Sequence, residues 1–125
     1  MSLDLINDAR RIIIKIGSTL LVDQEKGQIR SEWLKLLAED IKSVRESGPE
    51  IIIVTSGAIA AGRRDLGLVT EELRLEESQA AAACGQVQLA HSYASALQAS
   101  ELIAAQILLT SDDMDNRRRY LNARN

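Results

Sequence analysis

The segment IIIVTSGAIAAG, at residues 51–62, constrains the fold of this 125-residue chain more than any other part of the sequence. It begins with five β-branched residues in a row, four of them apolar, and such an uninterrupted run is typical of a strand buried on both faces in a parallel sheet. The run ends at Ser56 and Gly57, and small residues compatible with a helix follow. The segment therefore predicts a strand, a tight turn and a helix, which together indicate an α/β fold.

The turn at Ser56 and Gly57 is a candidate anion site. Glycine lets the backbone turn sharply beside a ligand, and the first amides of the following helix point outward without intrahelical partners. The hydroxyl of Ser56 could either cap that helix or bind a ligand oxygen. The residues alone leave both interpretations open.

Two familiar phosphate-binding motifs are excluded. Gly57 and Gly62 have the glycine spacing of a P-loop, but Arg63 and Arg64 stand where that motif requires Lys and Ser or Thr. The G-x-G-x-x-G fingerprint of dinucleotide-binding domains does not occur in the sequence.

A second β-branched run, IIIKI at residues 12–16, ends at the turn residues Gly17, Ser18 and Thr19. Lys15 lies near the carboxyl end of this predicted strand, where burial is unfavourable unless its ammonium reaches solvent, a carboxylate or an anionic ligand. A glycine turn with two hydroxyls presents several hydrogen-bond donors to a phosphate. Lys15 is therefore either a phosphate ligand or a surface lysine whose stem covers apolar groups.

Between the two predicted strands, apolar residues recur at three- and four-residue spacing from residue 34 to residue 44. This period predicts an amphipathic helix, with Ser31 as its N-cap and Gly48 just beyond its carboxyl end. A strand, a crossover helix and a second strand in this order usually form parallel neighbours in one sheet.

Residues 78–98 are predicted to form a third, longer helix. Gly85 lies in its middle, where glycine is about 1 kcal/mol less favourable than alanine, and a close backbone contact would offset that loss. Leu89, Tyr93 and Leu97 recur every four residues and form one row. Cys84 is assigned to packing, because no other metal-binding residue lies at a suitable spacing.

The apolar residues 102–109 are the third predicted strand, and three aspartates follow it. Asp112, Asp113 and Asp115 could form a metal cluster, but we favour helix capping, which is common for carboxylates in such positions. The resulting order β-α-β-α-α-β-α predicts a doubly wound α/β domain that binds a phosphate or another anion. Three strands make a small sheet, which favours an incomplete domain.

Composition narrows the class of protein further. A net charge of −3 disfavours general binding to nucleic acids or anionic membranes, since both favour basic surfaces. Cys84 is the only cysteine, which excludes an internal disulfide and a cysteine-rich zinc site. No secretory pattern opens the sequence, and no apolar run approaches the length of a membrane span. We therefore expect a cytoplasmic protein.

Five short motifs together resemble the N-terminal half of the glutamate 5-kinases, a family of the amino-acid kinase superfamily. They are KIGST at residues 15–19, VTSGAIAAGR at 54–63, ACGQ at 83–86, QILLT at 106–110 and LNAR at 121–124. The Lys-x-Gly turn is shared by many amino-acid kinases, whereas the second and last motifs are more particular to the glutamate kinases. Cys84 departs from the pattern, since these enzymes often have a small apolar residue there.

The resemblance implies a three-layer αβα sandwich with a mainly parallel sheet. It also implies ATP-dependent phosphorylation of the γ-carboxylate of L-glutamate, the first step of proline biosynthesis, with magnesium accompanying ATP and no tightly bound cofactor. By motif match, Lys15 would contact the transferring phosphate, and Gly17 and Ser18 would shape the nucleotide loop. Ser56 and Gly57 would hold the glutamate, and no residue is assigned to a metal.

The resemblance covers only part of such a kinase. Residues 1–125 are therefore expected to form the amino-acid substrate half of one domain, with no second domain, and to be inactive alone. The expected partners are L-glutamate, ATP and further copies of the chain, without nucleic acid or membrane. Two alternatives remain open: another amino-acid kinase, such as an acetylglutamate or carbamate kinase, and a non-catalytic remnant that binds a ligand or dimerises.

Overall fold

A computed structural model describes residues 3–69 and 71–125. Its elements, in chain order, are α1 Leu3–Asn7, β1 Arg11–Ile16, α2 Ser18–Leu21, β2 Val22–Asp23, β3 Gln28–Ile29, α3 Ser31–Glu46, β4 Glu50–Thr55, α4 Ala58–Gly62, α5 Leu75–Ala99, α6 Ser111–Asp115 and α7 Arg117–Arg124. In these ranges no helix combines the length and the apolar character that crossing a lipid bilayer requires.

Strands β1 and β4 pair in parallel, as their sequences predict, and α3 forms the crossover between them. The register runs from Arg11 opposite Glu50 to Ile16 opposite Thr55. An ion pair of 2.7 Å joins the side chains of Arg11 and Glu50 at the start of the two strands. Strands β2 and β3 form a separate antiparallel hairpin.

One face of this parallel sheet is covered and the other is bare among the described residues. Ile14 and Ile53 pack against α3 and α5, whose buried side chains on this face are Leu34, Ala38, Ile41, Leu89, Tyr93 and Leu97. On the opposite face the exposed fractions are 63% for Ile13, 44% for Ile52 and 47% for Val54. The α/β class with a parallel sheet is confirmed, and the described residues supply the sheet and one helical layer.

Helices α4 and α5 pack backbone against backbone at a contact formed by Gly62 and Gly85. A Cβ atom on Gly85 would overlap the carbonyl oxygen of Ala58, and one on Gly62 would overlap that of Ala81. The close contact expected at Gly85 is confirmed. We call this pairing of Gly62 and Gly85 the helix contact.

The prediction of a third strand at residues 102–109 is wrong. Residues 102–110 have no regular secondary structure, and they expose the apolar side chains of Ile103, Ile107, Leu108 and Leu109. A strand is defined by hydrogen bonds to a neighbouring strand, and residues 102–109 pair with neither β1 nor β4. The parallel sheet in the described residues therefore has two strands.

Two local assignments also differ from the sequence-based predictions. Helix α3 is capped by Arg30 rather than by Ser31, which is the first helical residue. Cys84 is exposed instead of packed. The expectation for Gly48 is confirmed, since it follows the end of α3 with a φ of 117°.

The capping interpretation of the acidic segment is confirmed at Asp113. Its carboxylate accepts hydrogen bonds from the backbone N–H of Thr110 at 2.7 Å and from the Thr110 hydroxyl at 2.8 Å. These two donors, the backbone N–H above all, lower the pKa of Asp113 below its ordinary value. In the part of the chain that the structure describes, no group of three or more His, Cys, Asp or Glu side chains is arranged to hold a metal ion.

Candidate functional site

The parallel register brings the two predicted turns to the same edge of the sheet. Because Ile16 lies opposite Thr55, β1 and β4 end side by side, and the backbone N–H of Ser56 donates to the carbonyl of Ile16 at 3.2 Å. The residues that follow, Gly17 and Ser18 after one strand and Ser56 and Gly57 after the other, are therefore neighbours. We call these four residues the strand-end turns.

Gly57 is favoured by its backbone conformation and lies close to the neighbouring turn. Its φ of 115° and ψ of 7° lie in a region that residues with a side chain rarely adopt. An ideal Cβ atom on Gly57 would also lie 3.4 Å from the Cα of Ser18 and 3.4 Å from a methyl group of Val22. Gly57 therefore packs directly on the neighbouring turn.

Ser56 is not the helix cap that one interpretation of the sequence allowed. The N-cap of α4 is Gly57, and no side chain caps the helix. The Ser56 side chain is exposed and makes no hydrogen bond to the described residues, and the amide of Gly57 likewise finds no acceptor there. A hydroxyl and an amide therefore stand free side by side at the carboxyl edge of the sheet.

Gly17 differs from Gly57 because neither its backbone nor its packing requires glycine. Its φ of −79° and ψ of 159° are accessible to any residue. An ideal Cβ atom there would meet nothing within 4 Å. Gly17 is exposed and forms the N-cap of α2, again without a side-chain cap. Open space therefore adjoins this turn.

Lys15 lies one residue before the end of β1, opposite Val54 in the register. Its side chain is exposed, and it belongs to the bare face of the sheet together with Ile13 and Val54. No described carboxylate forms an ion pair with it. The structure thus places one unpaired cation beside the strand-end turns, where solvent or an anionic ligand can reach it.

Sequence reasoning missed two residues at this site, Thr55 and Tyr93. The hydroxyl of Tyr93, on the buried row of α5, donates to Oγ1 of Thr55 at 2.8 Å. Oγ1 of Thr55 in turn donates to the carbonyl oxygen of Ser56 at 3.3 Å. A tyrosine within an apolar row was the available indication, because a buried phenol usually has a hydrogen-bond partner.

Two shallow concavities of the described surface lie away from the strand ends. One, of about 510 Å³, lies between the β2–β3 hairpin and α5, and its lining includes Lys26, Arg64 and His91. The other, of about 520 Å³, is formed by Asp112, Asp115, Asn116 and Arg119. Neither contains a residue of the strand-end turns.

Two adjacent parallel strands that end in glycine turns, with free donors at the shared edge, define an α/β protein suited to bind a ligand at its carboxyl edge. Sequence comparison specifies the family. The model of the amino acid kinase family matches residues 10–125, and this chain belongs to that family. The matched region contains Lys15 and all four residues of the strand-end turns.

Individual relatives are similar to this chain over nearly all of its length. It is 58% identical over 116 residues to the glutamate 5-kinase of Paramagnetospirillum magneticum, covering 93% of this chain and 31% of that protein. The glutamate 5-kinase of Rhodospirillum rubrum is 58% identical over 113 residues, which are 90% of this chain and 30% of the relative. That of Gluconobacter oxydans is 53% identical over 116 residues, with 93% and 31% covered. The chain spans about a third of the length of these curated relatives.

Proposed function

We propose that this chain supplies the amino-acid substrate side of a glutamate 5-kinase. The complete enzyme would transfer the γ-phosphoryl group of ATP, bound with magnesium, to the γ-carboxylate of L-glutamate in the cytoplasm, as the first step of proline biosynthesis. The observation that carries the proposal is the register of β1 and β4, which brings Lys15, Gly17, Ser18, Ser56 and Gly57 to one edge of the sheet. The relatives named glutamate 5-kinase support the choice of substrate.

The glutamate would bind at Ser56 and Gly57. Both residues have donors that find no acceptor among the described residues, and a carboxylate is an acceptor that accommodates several donors at once. The left-handed backbone of Gly57 is one that glycine adopts readily, and glycine has no side chain of its own to obstruct a ligand.

The nucleotide phosphates would lie against Gly17 and Ser18. The open space at the Cα of Gly17 fits this role, since no contact with the described residues explains glycine there. Magnesium neutralises phosphate charge when it is bound with ATP. The strand-end turns themselves carry amides, hydroxyls and no carboxylate, so they suit the phosphates and the amino acid rather than the metal.

Lys15 would stabilise the transferring phosphoryl group. Phosphoryl transfer requires the donor and acceptor to be held in line and the charge on the equatorial oxygens to be compensated. A lysine ammonium supplies that charge as a compact cation with three donors. Because the charge to be compensated grows in the transition state, Lys15 should affect kcat more than the KM for glutamate.

Self-association is part of the proposal. Ile13, Ile52 and Val54 leave an apolar sheet face uncovered in the described residues, and exposed apolar surface favours association. The chain of residues 1–125 alone would have no turnover, because it presents one side of the reaction. Light scattering at several concentrations measures the association, and an activity assay of the same sample measures the turnover.

The test of the function is an ADP-release assay on the complete gene product with magnesium and ATP. We expect turnover with L-glutamate and none with N-acetylglutamate or carbamate, which are the substrates of the alternative kinases. Lys15→Ala should lower kcat by about a hundredfold, or about 2.7 kcal/mol. Lys35→Ala is the matched control, because Lys35 is an exposed lysine on α3.

Three results would contradict this assignment. Turnover that depends on N-acetylglutamate or carbamate instead of glutamate would show that glutamate is not the substrate. A kcat of Lys15→Ala within about twofold of the parent enzyme would remove Lys15 from the phosphoryl site. An absence of phosphoryl transfer with any of the three acceptors would favour a non-catalytic binding role.

A further inference from the structure

A line of hydrogen bonds runs from the interior of α5 to the proposed glutamate site. Tyr93 is only 8% exposed, and its phenol reaches Oγ1 of Thr55, the last residue of β4. The same Oγ1 contacts the carbonyl oxygen of Ser56, the first residue of the turn. A buried side chain of one helix is therefore connected to the backbone that precedes Gly57.

The direction of these hydrogen bonds is determined by the available protons. The hydroxyl of Thr55 has one proton, which it donates to Ser56, so it accepts at the same time from the phenol of Tyr93. Burial raises the pKa of Tyr93 above its ordinary value, although the hydrogen bond with Thr55 acts in the opposite direction. The phenol consequently stays protonated, and remains a donor, throughout the neutral and mildly alkaline range.

This line of bonds orients the peptide group between Ser56 and Gly57. The structure has no cis peptide bond among its described residues, so the carbonyl of Ser56 and the N–H of Gly57 point in opposite directions. Because the carbonyl is directed to Thr55, the N–H of Gly57 is directed away from it. That N–H has no acceptor in the described protein and is free for a ligand.

We propose that Tyr93 is a positioning residue for the amino-acid substrate. It acts through the hydroxyl of Thr55, which holds the Ser56 carbonyl and thereby aims the Gly57 amide at the substrate carboxylate. The inference rests on the proposed function, because it assigns the residues that prepare the same site. Tyr93 itself touches neither the substrate nor the nucleotide.

Loss of the phenol should weaken the binding of glutamate and leave the binding of ATP unaffected. Without it the Thr55 hydroxyl can rotate, and the peptide between Ser56 and Gly57 loses its support. We expect Tyr93→Phe to raise the KM for glutamate about fivefold, in line with the loss of one hydrogen bond. The KM for ATP should stay within about twofold, because Gly17 and Ser18 follow the other strand.

The experiment measures both KM values, kcat and the melting temperature of the complete gene product. Tyr93→Phe removes the hydroxyl and keeps the ring that packs in the core. Tyr120→Phe is the matched control, since the Tyr120 phenol has no hydrogen bond to the described residues and lies on α7. Thr55→Val should reproduce the rise in glutamate KM, and Thr55→Ser, which keeps a hydroxyl, should restore most of it.

A double variant tests whether the two hydroxyls act together. If they form one line, Tyr93→Phe combined with Thr55→Val should raise the glutamate KM no more than Thr55→Val alone. Multiplication of the two separate effects would overturn the coupling and, with it, the proposal.

The remaining outcomes are also decisive. An active parent enzyme whose glutamate KM is unchanged in Tyr93→Phe overturns the positioning role and leaves the proposed function standing. The positioning role is likewise overturned if both KM values rise equally, or if only the melting temperature falls, since Tyr93 would then be a core residue. A parent enzyme without glutamate-dependent ADP release overturns the proposed function, and this inference fails with it.

Discussion

The helix contact and the strand-end turns both depend on glycine, but for opposite reasons. At the helix contact, the space beside Gly62 and Gly85 is filled by the backbone of the facing helix. At the strand-end turns, the space beside Gly17 contains no atom of the described residues within 4 Å, and its backbone conformation is ordinary. Gly57 is intermediate, because it has a left-handed backbone and van der Waals contact with Ser18.

The difference separates a structural glycine from a candidate functional one. Where backbone atoms occupy the position of the missing side chain, glycine is explained by packing of the folded chain. Where no described atom occupies that position, packing gives no explanation, and close approach of a ligand is the reason that we propose for Gly17. Adding one methyl group at each position tests this distinction, and the expected effect on folding decreases from Gly85 to Gly17.

Gly85→Ala should have the largest effect. The new methyl would overlap the carbonyl of Ala58, which is backbone and cannot rotate away, so α4 and α5 must separate. We expect a loss of at least about 3 kcal/mol in the free energy of unfolding, measured by urea denaturation followed by circular dichroism. Helix propensity alone predicts a gain of about 1 kcal/mol. A stability equal to or above that of the parent protein would therefore contradict the helix contact.

Gly57→Ala should have an intermediate effect on folding and a selective effect on activity. A side chain at a φ of 115° is strained, and we expect a loss of about 1–2 kcal/mol in the free energy of unfolding. Gly48→Ala is the matched control, because Gly48 has a φ of 117° and an ideal Cβ atom there meets nothing within 4 Å. Both variants should lose similar stability, but only Gly57→Ala should raise the KM for glutamate. Equal KM values in the two variants would remove Gly57 from the substrate site.

Gly17→Ala should have the smallest effect on folding. Its φ and ψ suit alanine, and the added methyl meets open space, so the free energy of unfolding should stay the same or rise by up to about 1 kcal/mol. The KM for ATP should nevertheless rise by about tenfold, because the methyl would occupy the space proposed for the phosphates. Unchanged kinetics for ATP in a fully folded variant would show that this space is not used by the nucleotide.

Much of the local structure was predictable because it depends on neighbours in the sequence. The β-branched runs identified β1 and β4, and the three- and four-residue period identified α3. The row of Leu89, Tyr93 and Leu97 is buried as its spacing predicts. Ser56 and Gly57 were identified from the abrupt end of an apolar run, and the structure places Gly17 and Ser18 beside them.

Other features were not predictable because they depend on what the rest of the chain offers. Residues 102–109 have the composition of a strand, but no edge of the described sheet pairs with them. Continuous β-branched runs predicted burial of both faces of β1 and β4, whereas α3 and α5 cover the same face and leave the other bare. Cys84 lies on a helix whose apolar composition does not specify which side is covered, and it is exposed.

The sequence by itself determined the parallel α/β class, the positions of the two turns and the candidate residues within them. These follow from side-chain branching, from the period of apolar residues and from the conformational freedom of glycine, which are all local properties. Only the tertiary structure decided that the turns after β1 and β4 are neighbours, that Gly85 meets Ala58, and that Tyr93 reaches Thr55 across 38 positions of the sequence. Such pairings depend on how the elements pack, because a hydrogen bond or a steric overlap between distant residues exists only after the chain has brought them together.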